Sequence, residues 1–202
     1  MFEIFKAGGP LMWVLLLCSL IAVTIIIEKF WSLNKNSVVP AKLQSQIEEL
    51  VKNKTVTPNK IEMIRQHSPL GEVLAAGISN AASGRDEMKQ AIEESGRHVV
   101  HRLSRYLNTL GTISSVSPLV GLLGTVIGMI KVFTAITSNG VGDPTVLSGG
   151  ISQALITTAT GLAIGIASLM FYRFFRGRVQ ELTVKLEQNA LRLVDAAHNK
   201  RT

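Results

Sequence analysis

Three runs without a formal charge constrain what this chain can become. Pro144–Tyr172 covers 29 residues, Tyr106–Ile130 covers 25 and Ala7–Ile27 covers 21. About 20 apolar residues suffice to cross a hydrocarbon core of about 30 Å. In lipid every backbone polar group needs an internal partner, so a spanning segment is a helix or part of a closed barrel. No period-two alternation marks strands here. The expected fold is therefore an all-α integral membrane protein with three transmembrane helices. In this reading spans two and three extend as helices into an inner helical domain.

The longest run is not a plain anchor. It carries Ser152, Gln153, Thr157, Thr158, Thr160 and Ser168, with Gly161 and Gly165 between them. Polar groups are costly in lipid unless they face other helices or a wet pathway. Gln153, Thr157, Thr160, Gly161 and Ser168 fall on one broad helical face, with Ala154, Thr158 and Gly165 beside it. Span two repeats the theme with Ser114, Ser117, Pro118, Gly121, Thr125 and Gly128. Gly124 and Gly128 form a Gly-x-x-x-Gly pair, as do Gly161 and Gly165. Small residues let helix backbones approach closely, and threonine hydroxyls can bond across the contact. Two readings stay open for each of these residues, helix packing or a hydroxyl-lined route that solvates a moving cation.

The charged residues give an orientation. Of 21 Lys and Arg, 12 lie between Lys29 and Arg105 and seven between Arg173 and Arg201. Cationic residues concentrate on the cytoplasmic side of a membrane. The expected order is a short outer segment over 1–9, span one over 10–28 and an inner helical domain over 29–105. Span two over 106–133, an outer loop over 134–145, span three over 146–172 and an inner helix over 173–202 follow. The net charge of +7 thus encodes topology, and nucleic acid is not an expected partner. Membrane lipid is. Ile25-Ile26-Ile27 runs directly into Glu28-Lys29-Phe30-Trp31 with no small-residue cleavage site, so span one is expected to be retained. Cys18 is the only cysteine and suits a packing role.

The inner domain reads as helices. Leu43, Ile47, Leu50 and Val51 make one apolar stripe, and Pro58 suits a helix start. Ser68-Pro69 ends that helix and opens the next, whose buried face holds Leu70, Val73, Leu74 and Ile78. Ser83-Gly84 is expected to end it. From about Arg85 a further helix, with Met88, Ile92, Val99 and Leu103, is expected to run unbroken into span two. Glu93, Glu94 and Arg97 suit a charge-paired helix face. His98 and His101 stand at i, i+3, but no Cys or third His lies nearby in sequence, so no metal is expected. No phosphate-binding loop, nucleophile elbow or zinc signature occurs. Neither an enzyme nor a cofactor is indicated, and no catalytic residue is assigned.

Two stretches carry a resemblance. Ser117-Pro-Leu-Val-Gly-Leu-Leu-Gly-Thr-Val-Ile-Gly-Met129 and Gly150-Ile-Ser-Gln-Ala-Leu-Ile-Thr-Thr-Ala-Thr-Gly-Leu162 resemble the second- and third-span signatures of the MotA/TolQ/ExbB proton-channel family. The Glu93–Val100 helix resembles it too, and the three-span order suggests its ExbB-like branch. The resemblance implies a homopentamer in the bacterial inner membrane, with a periplasmic N-terminus and a cytoplasmic C-terminus. It implies an ExbD/TolR-like single-span partner and a TonB-like protein, with proton motive force energising transport across the outer membrane. A TolQ-like role in outer-membrane integrity, or a non-conducting scaffold, is the alternative. Thr125 and Thr158 match the family's two span threonines and, with Thr157, Thr160 and Gln153, would face the partner helices. Gly121, Gly124, Gly128, Gly161, Gly165 and Pro118 would pack helices. Gln153 stands where many members have glutamate, and no Asp or Glu lies in either run. The titrating aspartate would then come from the partner.

Overall fold

The computed structural model describes residues 8–40, 43, 57–139 and 144–198. Every regular element among them is a helix. They are α1 (Leu11–Ser32), α2 (Lys35–Val38), α3 (Pro58–His67), α4 (Pro69–Ser79), α5 (Arg85–Ser104), α6 (Leu107–Asn139) and α7 (Pro144–His198). Three stretches are long and apolar enough to cross a membrane, one in α1, one in α6 and one in α7. The chain is an all-α membrane protein with three spans.

Contacts divide the chain into two compact units. One comprises residues 1–27 and 106–174, the other 28–105 and 175–202. In the first unit only 22–28% of each apolar window is buried within the chain. Trp13, Leu20, Leu119, Leu155 and Met170 are all more than 60% exposed. In water such faces would aggregate; in a bilayer the lipid tails are their solvent.

The second unit has the core of a soluble helical domain. Leu70, Val73 and Leu74 of α4 are buried, as are Met88, Ile92 and Val99 of α5 and Leu182, Leu186 and Leu193 of α7. Each such side chain contributes about 1.5–3 kcal/mol on burial. A Cβ on Gly77 would meet Ile92 at 2.8 Å and Leu193 at 3.4 Å, so α4 packs closely on both neighbours. Local signals set the helix starts. Pro58 and Pro69 open α3 and α4, and the Ser68 hydroxyl accepts the Gly71 N–H at 3.1 Å. Asn34 caps α2 in the same manner.

Five expectations are corrected or bounded. Helix α4 ends at Ser79, before Ser83-Gly84, because the Asn80 N–H turns back to Gly77 and Ile78 and its side chain takes the Ala76 carbonyl. Gly84 instead precedes α5 with φ +136°. The helix from Arg85 does not run unbroken into span two. It stops at Ser104, Arg105 turns extended and Tyr106 takes φ +65°, and α6 begins at Leu107. Close to this stop the Lys29 Nζ donates to the Leu103 carbonyl at 3.2 Å. Arg97 pairs with neither Glu93 nor Glu94 among the described residues. Of the 43–51 stripe Leu43 is buried, while Ile47, Leu50 and Val51 lie outside the described residues. Helix α6 also continues through residues 134–139, which loop-forming residues had suggested were unwound.

Candidate functional site: the small-residue seam between two spans

The first unit places α6 against α7 in antiparallel register. The small residues pair along the line in reverse order. Gly165 faces Pro118 and Ser114, Gly161 faces Ser117 and Gly121, and Gly124 faces Thr157. Gly128 faces Ala154 and Gly150. Side chains would prevent this approach. A Cβ on Gly161 would sit 2.5 Å from the Ser117 carbonyl oxygen and 2.9 Å from the Gly121 Cα. One on Gly165 would sit 2.5 Å from the Pro118 Cγ. Pro118 lies within α6 and cannot donate to the Ser114 carbonyl. That carbonyl oxygen is 3.1 Å from where a Gly165 Cβ would be, so the altered turn is packed by the neighbouring backbone. The six positions expected to pack helices all lie on this seam.

The hydroxyls divide by what they bond. Thr158 donates across the seam to the Gly121 carbonyl at 2.9 Å. Thr157 is fully buried and its Oγ1 lies 3.0 Å from the Gly8 carbonyl and 2.7 Å from the Gln153 carbonyl. One hydroxyl proton serves these two acceptors. Thr125 and Thr160 donate within their own helices, to Leu122 at 2.6 Å and Ile156 at 2.8 Å, and both side chains are half-buried. Ser117 is fully buried and its hydroxyl has no hydrogen-bond partner.

Gln153 lies toward one end of the seam. Its Oε1 accepts from Lys131 Nζ at 3.1 Å. Its amide packs so closely on Gly9 that a Cβ there would collide with it, and Gly9 already has φ +73°, a conformation glycine adopts at little cost. Gln153 and Thr157 thus bind the segment at Gly8 and Gly9 to α7. Of the expected partner-facing set, Thr157 is enclosed in its own chain, whereas Thr125, Thr158 and Thr160 keep partial exposure. Residue types alone did not disclose the Lys131–Gln153 pair or the Thr157–Gly8 bond. Helix register was the missing information.

In the second unit, His98 and His101 line a surface cavity of about 530 Å³ with Arg65, Glu72, Glu94 and Arg102. Arg102 pairs with Glu72 there. No group of three metal-ligating side chains occurs among the described residues.

Comparison with known proteins is consistent over most of the chain. Residues 65–188 match the MotA/TolQ/ExbB proton channel family. The chain is 33% identical to the putative biopolymer transport protein ExbB-like 1 of Synechocystis, over 84% of this chain and 68% of that protein. It is 30% identical to the putative biopolymer transport protein ExbB homolog of Methanothermobacter thermautotrophicus, over 92% of this chain and 66% of that one. The biopolymer transport protein ExbB of Aquifex aeolicus is 32% identical over 54% of this chain and 72% of its own length.

Proposed function

The chain belongs to the MotA/TolQ/ExbB proton channel family, and from that premise we propose that it is the channel subunit of an ExbB–ExbD type motor. It sits in the inner membrane with its N-terminus periplasmic and C-terminus cytoplasmic. There it uses the proton motive force to energise TonB-dependent transport. A homopentamer surrounds single-span ExbD-like helices, and a TonB-like protein carries the movement outward.

The observation that supports this most is the seam itself. Two spans are held at backbone contact by glycines, with hydroxyls on the seam and its margins and no carboxylate in either charge-free run. An ionisable side chain in the membrane is the usual proton relay, because its charge cost makes protonation a switch. Lacking one, this subunit supplies a hydroxylated wall, and the partner helix supplies the aspartate. Thr125, Thr158 and Thr160 line that wall; Gln153 and Thr157 hold it in shape from within.

The test is proton flux in proteoliposomes holding the assembled complex. T125A/T158A should lower flux several-fold while pentamer and partner co-purify unchanged. Unaltered flux in a fully assembled double mutant would sink the proposal. A second reading draws on the bonds of Thr157 and Thr158, which are spent inside the chain. If hydroxyls serve only to join helices, the chain is a non-conducting scaffold. Flux would then be absent from the wild-type complex as well.

A further inference from the structure

Gly96 stands in the interior of α5, where glycine weakens a helix relative to alanine. Packing within the chain does not call for it. A Cβ on Gly96 would meet nothing within 4 Å, whereas one on Gly77 of α4 would press on Ile92. Gly96 lines a cavity of about 590 Å³ between α5 and α7, with Ile92, Val100, Leu186 and Ala190. A second cavity of about 440 Å³ shares Ile92, Glu93, Glu187 and Ala190 with the first and continues to Lys89 and Val194. The two are parts of one apolar trough, and all of it lies in the second unit. Along α5 it runs from Lys89 to Ser104, which is about 22 Å of helix.

Glu93 and Glu187 border both cavities and so mark the middle of the trough. Neither makes an ion pair among the described residues, and nor does Arg192. Arg192 adjoins an apolar ridge on α7. Val184 and Leu191 are 50% and 58% exposed, in a unit whose core is that of a soluble domain. They lie about 100–120° round the helix from Ala190 on the trough floor. Exposed apolar surface rimmed by charge marks an interaction site. A trough and a ridge on different faces of one helix join copies head to tail, and such contacts close into rings.

We propose that the trough docks a second copy of this chain, which seats Leu191 of its α7 ridge on Gly96 and pairs its Arg192 with Glu93 and Glu187. The missing side chain at Gly96 lets the incoming helix approach closely. The Arg192 guanidinium suits carboxylates, because its forked N–H donors match their oxygens. Lys89 and Arg97 stand toward the two ends of the trough and repel Arg192 there, which fixes its register. This places one subunit contact of the proposed homopentamer in the second unit, and so rests on that assembly.

The test is disulfide cross-linking of the full chain in membranes. Cys18 is the only cysteine, so C18S gives a clean background. Two differently tagged chains, C18S/G96C and C18S/L191C, are co-expressed with the partner protein and oxidised with copper phenanthroline. Links between the two tags should exceed links within either tag at least tenfold. Adding R192E to both chains should cut the yield at least fivefold, and E93R/E187R/R192E should restore it. Absence of links between the tags, or equal links within each tag, overturns the proposal, as does loss on R192E without recovery in the charge swap. Capture of the partner protein by the cysteine at position 96, in place of a second copy, also overturns it. Native mass spectrometry of the wild-type complex separates the two levels. Monomer alone removes the homopentamer and this contact together, whereas an intact oligomer without the cross-link removes this contact only.

Discussion

Replacing Gly161 by alanine tests the seam most directly. The added Cβ would stand 2.5 Å from the Ser117 carbonyl oxygen, where ordinary contact begins at 3.4 Å. The shortfall is about 0.9 Å (3.4 minus 2.5), and the obstructing atoms are backbone, which cannot rotate aside. Helix α6 must therefore withdraw. That stretches the 2.9 Å Thr158–Gly121 hydrogen bond past useful range. Such bonds between membrane helices contribute about 0.6 kcal/mol on average, with a maximum of about 1.7. A gap of 0.5–1 Å also forfeits a quarter to a half of each atomic contact worth about 0.1–0.2 kcal/mol. Over some tens of atom pairs that adds about 1–2 kcal/mol, and together the losses come to about 2–3 kcal/mol. Alanine's better helix propensity returns up to about 1 kcal/mol. Gly177 lies in the same helix with nothing within 4 Å of its would-be Cβ, so G177A receives the propensity gain without the collision. The assay is SDS-driven unfolding of the purified chain in bicelles. G161A should fall below G177A by about 2–3 kcal/mol, roughly a 30- to 150-fold difference in the unfolding equilibrium. Equal stability of the two variants would refute backbone contact at the seam.

Two further outcomes are expected. T158V keeps the shape but loses the bond to Gly121, so it should cost about 0.5–1.5 kcal/mol in the same assay, while T158S should stay near wild type; the reverse order would show that shape rather than the hydroxyl matters. S68A removes the cap on Gly71 N–H and should destabilise the second unit by about 1 kcal/mol, seen as faster hydrogen exchange in peptides covering α4, with unchanged exchange counting against the cap.

Much of the fold was legible because lipid simplifies the problem. A long run without charge has few options other than a helix, so 106–130 and 144–172 declared themselves. Helix starts at Pro58 and Pro69 were legible for a different reason, since proline and a capping serine act over three or four residues. The stop of α4 at Asn80 was not, because Asn80 closed the helix with its own backbone and side chain before the glycine was reached.

The seam glycines were legible as a class but not as pairs. Spacing put Gly121, Gly124 and Gly128 near one face of a helix; it did not say that Gly124 meets Thr157 or that Gly128 meets Ala154. Once the antiparallel register is known, Lys131 falls beside Gln153 as a consequence. That pairing gives the neutral glutamine a cationic neighbour, which composition alone could not reveal.

By itself, then, the sequence determined the three spans, the helical second unit, and a hydroxylated, carboxylate-free pair of membrane helices. These follow from periodicity and solvent preference, which are local along the chain. Only the tertiary structure decided which carbonyl each hydroxyl takes, that Thr157 is enclosed, and that α5 stops at Ser104. Thr157 shows why. Its hydroxyl meets the Gly8 carbonyl, 149 residues earlier in the chain, and a buried hydroxyl must find an acceptor. Contacts of that kind are set by what folding brings together, and no local pattern records them.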